Sequence, residues 1–378
     1  MNETMLYADG YSAGFTEESS FLEFIRKIKD NAFWVQKKAK DLKLIAYEKE
    51  GDKVKEIQKK YDIKDEVLED TTKNTALLLR TQKCCFPVRD CALQTILNRA
   101  GISGPILKKL SKDVYAKVVN SCLRAAGGNV LIRVSEGKVS SVMSGDLHDY
   151  SILDMDEVFA HAAEYFKKKY PGCTYLYGFY EHSLASAAWE LSADSSFLQS
   201  YQKELLMAGK SMFDLKPVIR VSTSDVGVCG ANIYPMISYD AGRSLVPLGE
   251  PLYLQHKNRN GIGQFDEQLN QIYGKYQVAV EGIQKLLKIH ISYPENCMKA
   301  VMKRVGISAK YRAEAVELFL CQFRQSDCTA HDLYYGIAEV IYMMQCEGES
   351  GSAIAAMEEK VARTLNLRWS DYDTPHEI

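Results

Sequence analysis

Residues 216–257, KPVIRVSTSDVGVCGANIYPMISYDAGRSLVPLGEPLYLQHK, read as strand, polar turn, strand, loop, strand. Strands are expected over 217–222, 231–239 and 251–256. Between the first two lies the small-residue turn Ser222-Thr223-Ser224-Asp225-Val226-Gly227, where a sheet protein would expose backbone amides. Upstream, 173–191 (CTYLYGFYEHSLASAAWEL) reads as two more strands. Val130 to Val134, the turn Ser135-Glu136-Gly137-Lys138 and Val139 to Met143 read as a hairpin.

Helical patterns flank these strands. Val88 to Ala100 is apolar-periodic and breaks at Gly101-Ile102-Ser103-Gly104-Pro105. Asp113 to Ala125 follows and closes on Gly127-Gly128, since glycine tolerates a left-handed cap. Asp154 opens a helix that stops at Tyr170-Pro171-Gly172. The last third is helical: 264–287 places apolar residues three or four apart, and shorter helices follow near 294–304, 308–324, 329–346 and 352–366. No repeat recurs at periods of roughly 20–50 residues. The layout is α+β, a central mostly antiparallel sheet flanked by N-terminal and C-terminal helical regions. Its expected units are a charged helical region over 1–70, an α+β core over 71–260 and a helical region over 261–378.

A chain of 378 residues with 46% hydrophobic and 25% charged residues has the composition of a folded, water-soluble protein. No run of apolar residues is long enough to cross a membrane. The start, MNETMLYADGYSAGF, lacks a basic segment followed by an apolar one, so the expected location is cytoplasmic. Ten cysteines are scattered, which suits reduced thiols packed as small core residues. Cys84, Cys85 and Cys91 lie close together, but a second pair and a nearby His are missing, so no metal is expected.

Net charge is −2, yet it is unevenly placed. Residues 20–70 alternate thirteen bases with twelve acids, most simply a solvated helical face. Residues 71–133 carry eleven Lys or Arg against two acids. Residues 327–378 carry ten acids against three bases. The basic segment would suit a phosphate backbone, where each neutralised phosphate releases counterions. Equally, the basic and acidic segments would suit each other, within one chain or between subunits.

The candidate nucleic-acid contacts are Arg99, Lys108, Lys109, Lys112, Lys117, Arg124, Arg133 and Arg220, with Arg243 beside them. Tyr175, Tyr177 and Phe179 alternate along one strand, so an exposed face there would stack on unpaired bases and a buried one would be core. Cys229 with His256 is the Cys–His combination that a nucleophilic mechanism would use, although a Cys entering a strand ordinarily packs. Asp146, Asp149, Asp154 and Asp156 cluster as magnesium ligands do, and also as polar loops and helix starts do. Gly227-Val228-Cys229-Gly230 has neither the phosphate-loop nor the dinucleotide spacing, so no cofactor is expected.

The hairpin Leu131-Ile132-Arg133-Val134-Ser135-Glu136-Gly137-Lys138 returning to Ser144 resembles a recurrent element of the phage/plasmid-like protein family of unknown function. The lead-in FPVRDCALQTILNRAGI, the stretch Ser224 to Pro235, Leu254-Gln255-His256 and the helix from Thr329 are similar to that family in the same order, over roughly residues 75–345. Where the family has a basic-aromatic pair after the hairpin serine, this chain has Gly145-Asp146. The resemblance implies a mobile-element origin and a link to DNA transactions, and no known reaction. The expected function is therefore a non-enzymatic, DNA-associated accessory protein. The alternatives are an oligomeric protein-interaction or anti-defence module, and a hydrolase or transferase.

Overall fold

The computed structural model describes residues 5–48, 51–191, 195–210, 215–239, 244–323 and 328–376; Arg243 lies outside them. The elements before the first long hairpin are β1 (Ser12–Phe15), α1 (Glu18–Asp30), β2 (Ala32–Lys38), β3 (Lys43–Ala46), α2 (Asp52–Tyr61), α3 (Asp65–Asn74), β4 (Leu77–Arg80), β5 (Cys85–Pro87), α4 (Ala92–Ala100) and α5 (Lys112–Ala126). The middle holds β6 (Asn129–Ser135), β7 (Lys138–Ser144), α6 (Met155–Lys169), β8 (Thr174–Glu181), β9 (Leu184–Glu190), α7 (Gln199–Met207), β10 (Lys216–Thr223), β11 (Ala231–Tyr239), β12 (Ser244–Pro247) and β13 (Leu252–Leu254). The end holds α8 (Ile262–Leu269), α9 (Ile272–Leu286), α10 (Pro294–Arg304), α11 (Ala309–Gln322), α12 (Ala330–Cys346) and α13 (Gly351–Arg363).

The fold is α+β. A seven-stranded sheet runs β1-β8-β9-β10-β11-β12, with β13 also on β11, and every pairing in it is antiparallel. Of the strands expected within 216–257, β10 and β11 lie inside this sheet and β13 lies on its edge. Sheets β2-β6-β7 and β3-β4-β5 are antiparallel too, and a parallel bridge from Val88 to Val139 links them.

Residues 1–70 differ from the helical expectation. They hold α1, α2 and α3, but also β1 on the edge of the main sheet, β2 on β6 and β3 on β4. Charge alternation reports solvated surface, whereas strand formation here depends on distant partners, such as Glu181 opposite Ser12 and Ser135 opposite Ala32. The helix expected over 264–287 breaks at Asn270-Gln271 into α8 and α9.

Two hydrophobic cores organise the chain. One joins β3–β7 to α4 and α5 through Leu44, Leu79, Val88, Ile96, Val119, Leu123, Ile132 and Val139. The other gathers residues of β1, α1, α6, the main sheet and the C-terminal helices, among them Phe21, Phe159, Trp189, Tyr276 and Trp369. The expected boundary at residue 70 falls inside the first core.

The seam between the cores is ionic. Arg133 on β6 donates to Asp225 in the polar turn at 2.8 Å, and Ser141 on β7 donates to the Asp225 carbonyl at 3.4 Å. Lys138, fully buried, meets Asp9 at 2.8 Å and also the Asp70 carboxylate. Arg89 reaches Asp9 at 3.3 Å. Hairpin β6–β7 and the polar turn 222–227 are thus docked on each other.

Gly227 closes that joint. Its φ is +78°, and an added Cβ would lie 2.7 Å from Met143 Cε. Gly227→Ala is expected to lower stability by roughly 1–3 kcal/mol through backbone strain. A melting temperature equal to wild type would show that the turn is free to rearrange.

Candidate polyanion interface

Of the eleven cations in 71–133, two are spent on the seam, Arg89 and Arg133. The other nine (Lys73, Arg80, Lys83, Arg99, Lys108, Lys109, Lys112, Lys117 and Arg124) make no ion pair among the described residues. Arg99 is half-buried and the other eight are exposed.

Helix α5 sets the layout. Tyr115, Ala116, Val119 and Leu123 bury one face. Lys117, Ser121 and Arg124 recur at three- and four-residue spacing on a neighbouring face, and Arg124 donates to Ser121 Oγ at 3.3 Å. Beside them Asn120 accepts from Leu44 N at 2.7 Å and donates to Leu44 O at 2.8 Å. That clamp holds α5 against β3. Lys108 and Lys109 stand on the single helical turn Pro105–Lys109 that leads into α5, and Lys112 begins it. Basic side chains therefore span the helix, about 22 Å for fifteen residues at 1.5 Å each.

Among the described residues no carboxylate of the acidic C-terminal stretch pairs with this face. Asp332 pairs with Lys210, Glu347 with Lys310 and Glu358 with Arg220. Glu339 accepts from Tyr239, Glu349 from Tyr311, and Glu359 from Tyr234 at 2.9 Å. Asp373 accepts from the Ser292 and Tyr293 amides at 2.9 and 2.7 Å. Seven carboxylates are thus engaged within the larger body.

Several expected contacts are withdrawn. Arg133 is buried on Asp225. Arg220 is 4% exposed, pairs with Glu358 on α13 and lies 4.4 Å from the Tyr234 ring centroid. A guanidinium so enclosed cannot reach a phosphate. The aromatic strand is no stacking platform either. Pairing on β8 shifts between Tyr175 and Tyr177, which sends those rings to opposite faces. Tyr175 packs on Phe21 and Trp189 in the main core, and Tyr177 joins Ala188, Val218 and Tyr234. Phe179 abuts Gly351, where an added Cβ would fall 2.4 Å from its Cε1. Glu181 on β8 accepts from Gly351 N and Ser352 N at 3.0 and 3.1 Å, pinning the α13 N-terminus over that face.

Cys229 and His256 share no hydrogen bond; the hydrogen-bond partner of the His256 ring is Thr223. His256 stacks on Tyr150 at 5.8 Å and faces Thr223 Oγ1 at 3.4 Å. Burial lowers its pKa to about 4, so its imidazole is neutral. Burial, with Glu359 nearby, pushes the Cys229 thiol up to about 12. A thiol held protonated, with no hydrogen bond to a base among the described residues, lacks the activation a nucleophile needs. The four aspartates separate into two roles. Asp154 and Asp156 sit 3.7 and 3.2 Å from Lys29. Asp146 accepts from His148 N, and Asp149 from Ser144 Oγ. No group of three His, Cys, Asp or Glu side chains is placed to hold a metal among the described residues.

Two concavities border α5. The larger, about 660 Å³, lies past its C-terminus between Arg99, Arg259, Asp146, Asp149 and the Gly127-Gly128 turn. The smaller, about 320 Å³, lies beside β3 and β4 and is lined by Lys40, Lys43, Arg80 and Arg124 with Asp41. Lys40 and Lys43 come from the segment whose charge averaged out over 20–70. The local run Lys37, Lys38, Lys40, Lys43 against Asp41 alone was the signal available.

No family model, curated protein or solved structure matches the chain. Among the described residues no helix is long and apolar enough to cross a membrane.

Proposed function

We propose that the protein binds nucleic acid through the cationic face of α5 and its lead-in, without strong sequence choice. One observation carries the reading: among the described residues nine cations of one segment make no ion pair, while seven carboxylates of the acidic stretch are engaged elsewhere. Unpaired exposed lysines and arginines repel one another unless an anion covers them. A phosphate backbone does so and gains counterion release. The aromatics of β8 are packed on two opposite faces and only partly exposed, which favours backbone contact over base stacking. A role in a phage or plasmid DNA transaction agrees with this reading and with the resemblance of the hairpin and its lead-in. The seam would then be a structural joint that orients α5.

The test is fluorescence polarisation with labelled single-stranded and duplex DNA at low salt. Wild type is expected to bind both. Lys108→Glu, Lys109→Glu, Lys112→Glu and Lys117→Glu combined should weaken binding by about tenfold or more and leave the melting temperature unchanged, since all four side chains are exposed and without an ion pair among the described residues. Unaltered affinity in that variant would overturn the proposal. An engaged acidic stretch also predicts light-scattering masses that do not change between low and high salt. Salt-driven dissociation would favour charge pairing between subunits instead.

A further inference from the structure

We infer that the concavity beside β3 and β4 is a dedicated phosphate site, seating adjacent phosphate groups of one strand or of a compact polyphosphate. The inference rests on the nucleic-acid reading and narrows it to a place and a ligand chemistry.

Lys43 and Arg80 are direct partners in the β3–β4 ladder, so their side chains leave the same face of the sheet side by side. Both are exposed. Like charges directly opposite in a ladder are destabilising. Here no carboxylate answers either one among the described residues. Lys40 and Arg124 complete a cluster of four cations around about 320 Å³, and Asp41 is the one acid in its lining, a local net of +3. That volume lies within the range of small-ligand sites. It would take a phosphate chain or a nucleotide backbone, not a duplex edge.

The cluster is held in shape. Asn120 fixes α5 to β3 by two hydrogen bonds to Leu44, which sets Arg124 opposite Lys43. Two arginines offer forked donors matched to phosphate oxygens, and two lysines add point charge. The site also adjoins the larger concavity, because Ala39 N, next to Lys40, donates to Gly128 O at 3.0 Å. A strand leaving the four-cation site would pass that turn towards Arg99 and Arg259.

The probe is inorganic tripolyphosphate, measured by calorimetry and by competition against a labelled oligonucleotide. The expected result is one tripolyphosphate per chain, displaced by salt and competing with the oligonucleotide. Lys43→Glu should weaken tripolyphosphate roughly tenfold or more, because it removes one charge-assisted contact and adds a repulsive one. The same variant faces Arg80 with an opposite charge, so it should melt no lower than wild type. Loss of binding through misfolding is thereby separated from loss of the site. If DNA binds and tripolyphosphate does not, this site is wrong and the broader reading stands. If tripolyphosphate binds equally to Lys43→Glu, the site is wrong as well. If neither ligand binds wild type, both readings fall together.

Discussion

Replacing Glu358 by Ala is expected to lower the unfolding free energy by about 3–5 kcal/mol, one of the two largest effects predicted for this chain. Glu358 on α13 is 3% exposed and is the counter-ion of Arg220 in the middle of the main sheet. Without it the guanidinium keeps its charge in a dry site whose other neighbours are Tyr177 and Tyr234. Among the described residues Arg220 Nε and Nη2 already lack hydrogen-bond partners. The double change Arg220→Met with Glu358→Leu should recover most of the loss, because apolar residues of similar volume replace the pair without a stranded ion. It should also leave DNA binding intact, since Arg220 is not at the proposed interface. Urea unfolding and polarisation on the same three proteins measure both points. A single variant as stable as wild type would mean that α13 does not cover the sheet as described.

Buried histidines give the second large effect. Burial lowers both His256 and His331 to about 4 from an ordinary value of 6.5. His331 is enclosed by Tyr201, whose hydroxyl lies 2.6 Å from Nε2, and by the Tyr335 ring. With the folded pKa depressed, the unfolded chain binds more protons between pH 6.5 and 4. Each imidazole therefore contributes stability that is present above 6.5 and is lost as pH falls through that window, about 3 kcal/mol apiece. Asp225 runs the other way. Burial, opposed by Arg133, raises its carboxyl to about 6, so the folded chain binds the extra proton. Its contribution improves as pH falls from 6 towards its ordinary value of 3.8. Subtraction isolates the two signs. The stability gap between wild type and His331→Gln should shrink by about 3 kcal/mol from pH 7 to pH 4. The gap between wild type and Asp225→Asn should widen in favour of wild type over the same range. Two gaps independent of pH would show that these groups are solvated.

How far the sequence could be read depended on whether the signal was local. Strands β6 to β11 were legible because branched and aromatic runs alternate with Gly- and Ser-rich turns. Helices α4, α5, α6 and α10 to α13 were legible from apolar spacing and stops. β2 was not, because AFWVQKK becomes a strand by pairing with Leu131 and its neighbours, a hundred residues on. The three-residue β5 and the four-residue β4 are too short to carry a period. For the site, composition located the cationic segment but could not separate its exposed members from its buried ones. Arg89, Arg133 and Arg220 look like Arg124 in a sequence; their partners Asp9, Asp225 and Glu358 lie between 80 and 138 residues away. The aromatic strand misled for a related reason. Strict alternation put Tyr175 and Tyr177 on one face, and the shift in pairing at Leu176 moves them apart. Lys40 and Lys43 were hidden by averaging charge over too long a window.

The central claim is that the α5 face carries its charges outward, free for phosphate. The most direct measurement is the slope of log affinity for a labelled oligonucleotide against log salt. Each neutralised phosphate adds about 0.7 to 0.9 to the magnitude of that slope. With eight exposed, unpaired cations in the segment, the account predicts a magnitude of at least about 3, and a shallower slope when Lys108, Lys109, Lys112 and Lys117 are reversed. No binding at low salt, or affinity that salt leaves unchanged, would contradict it.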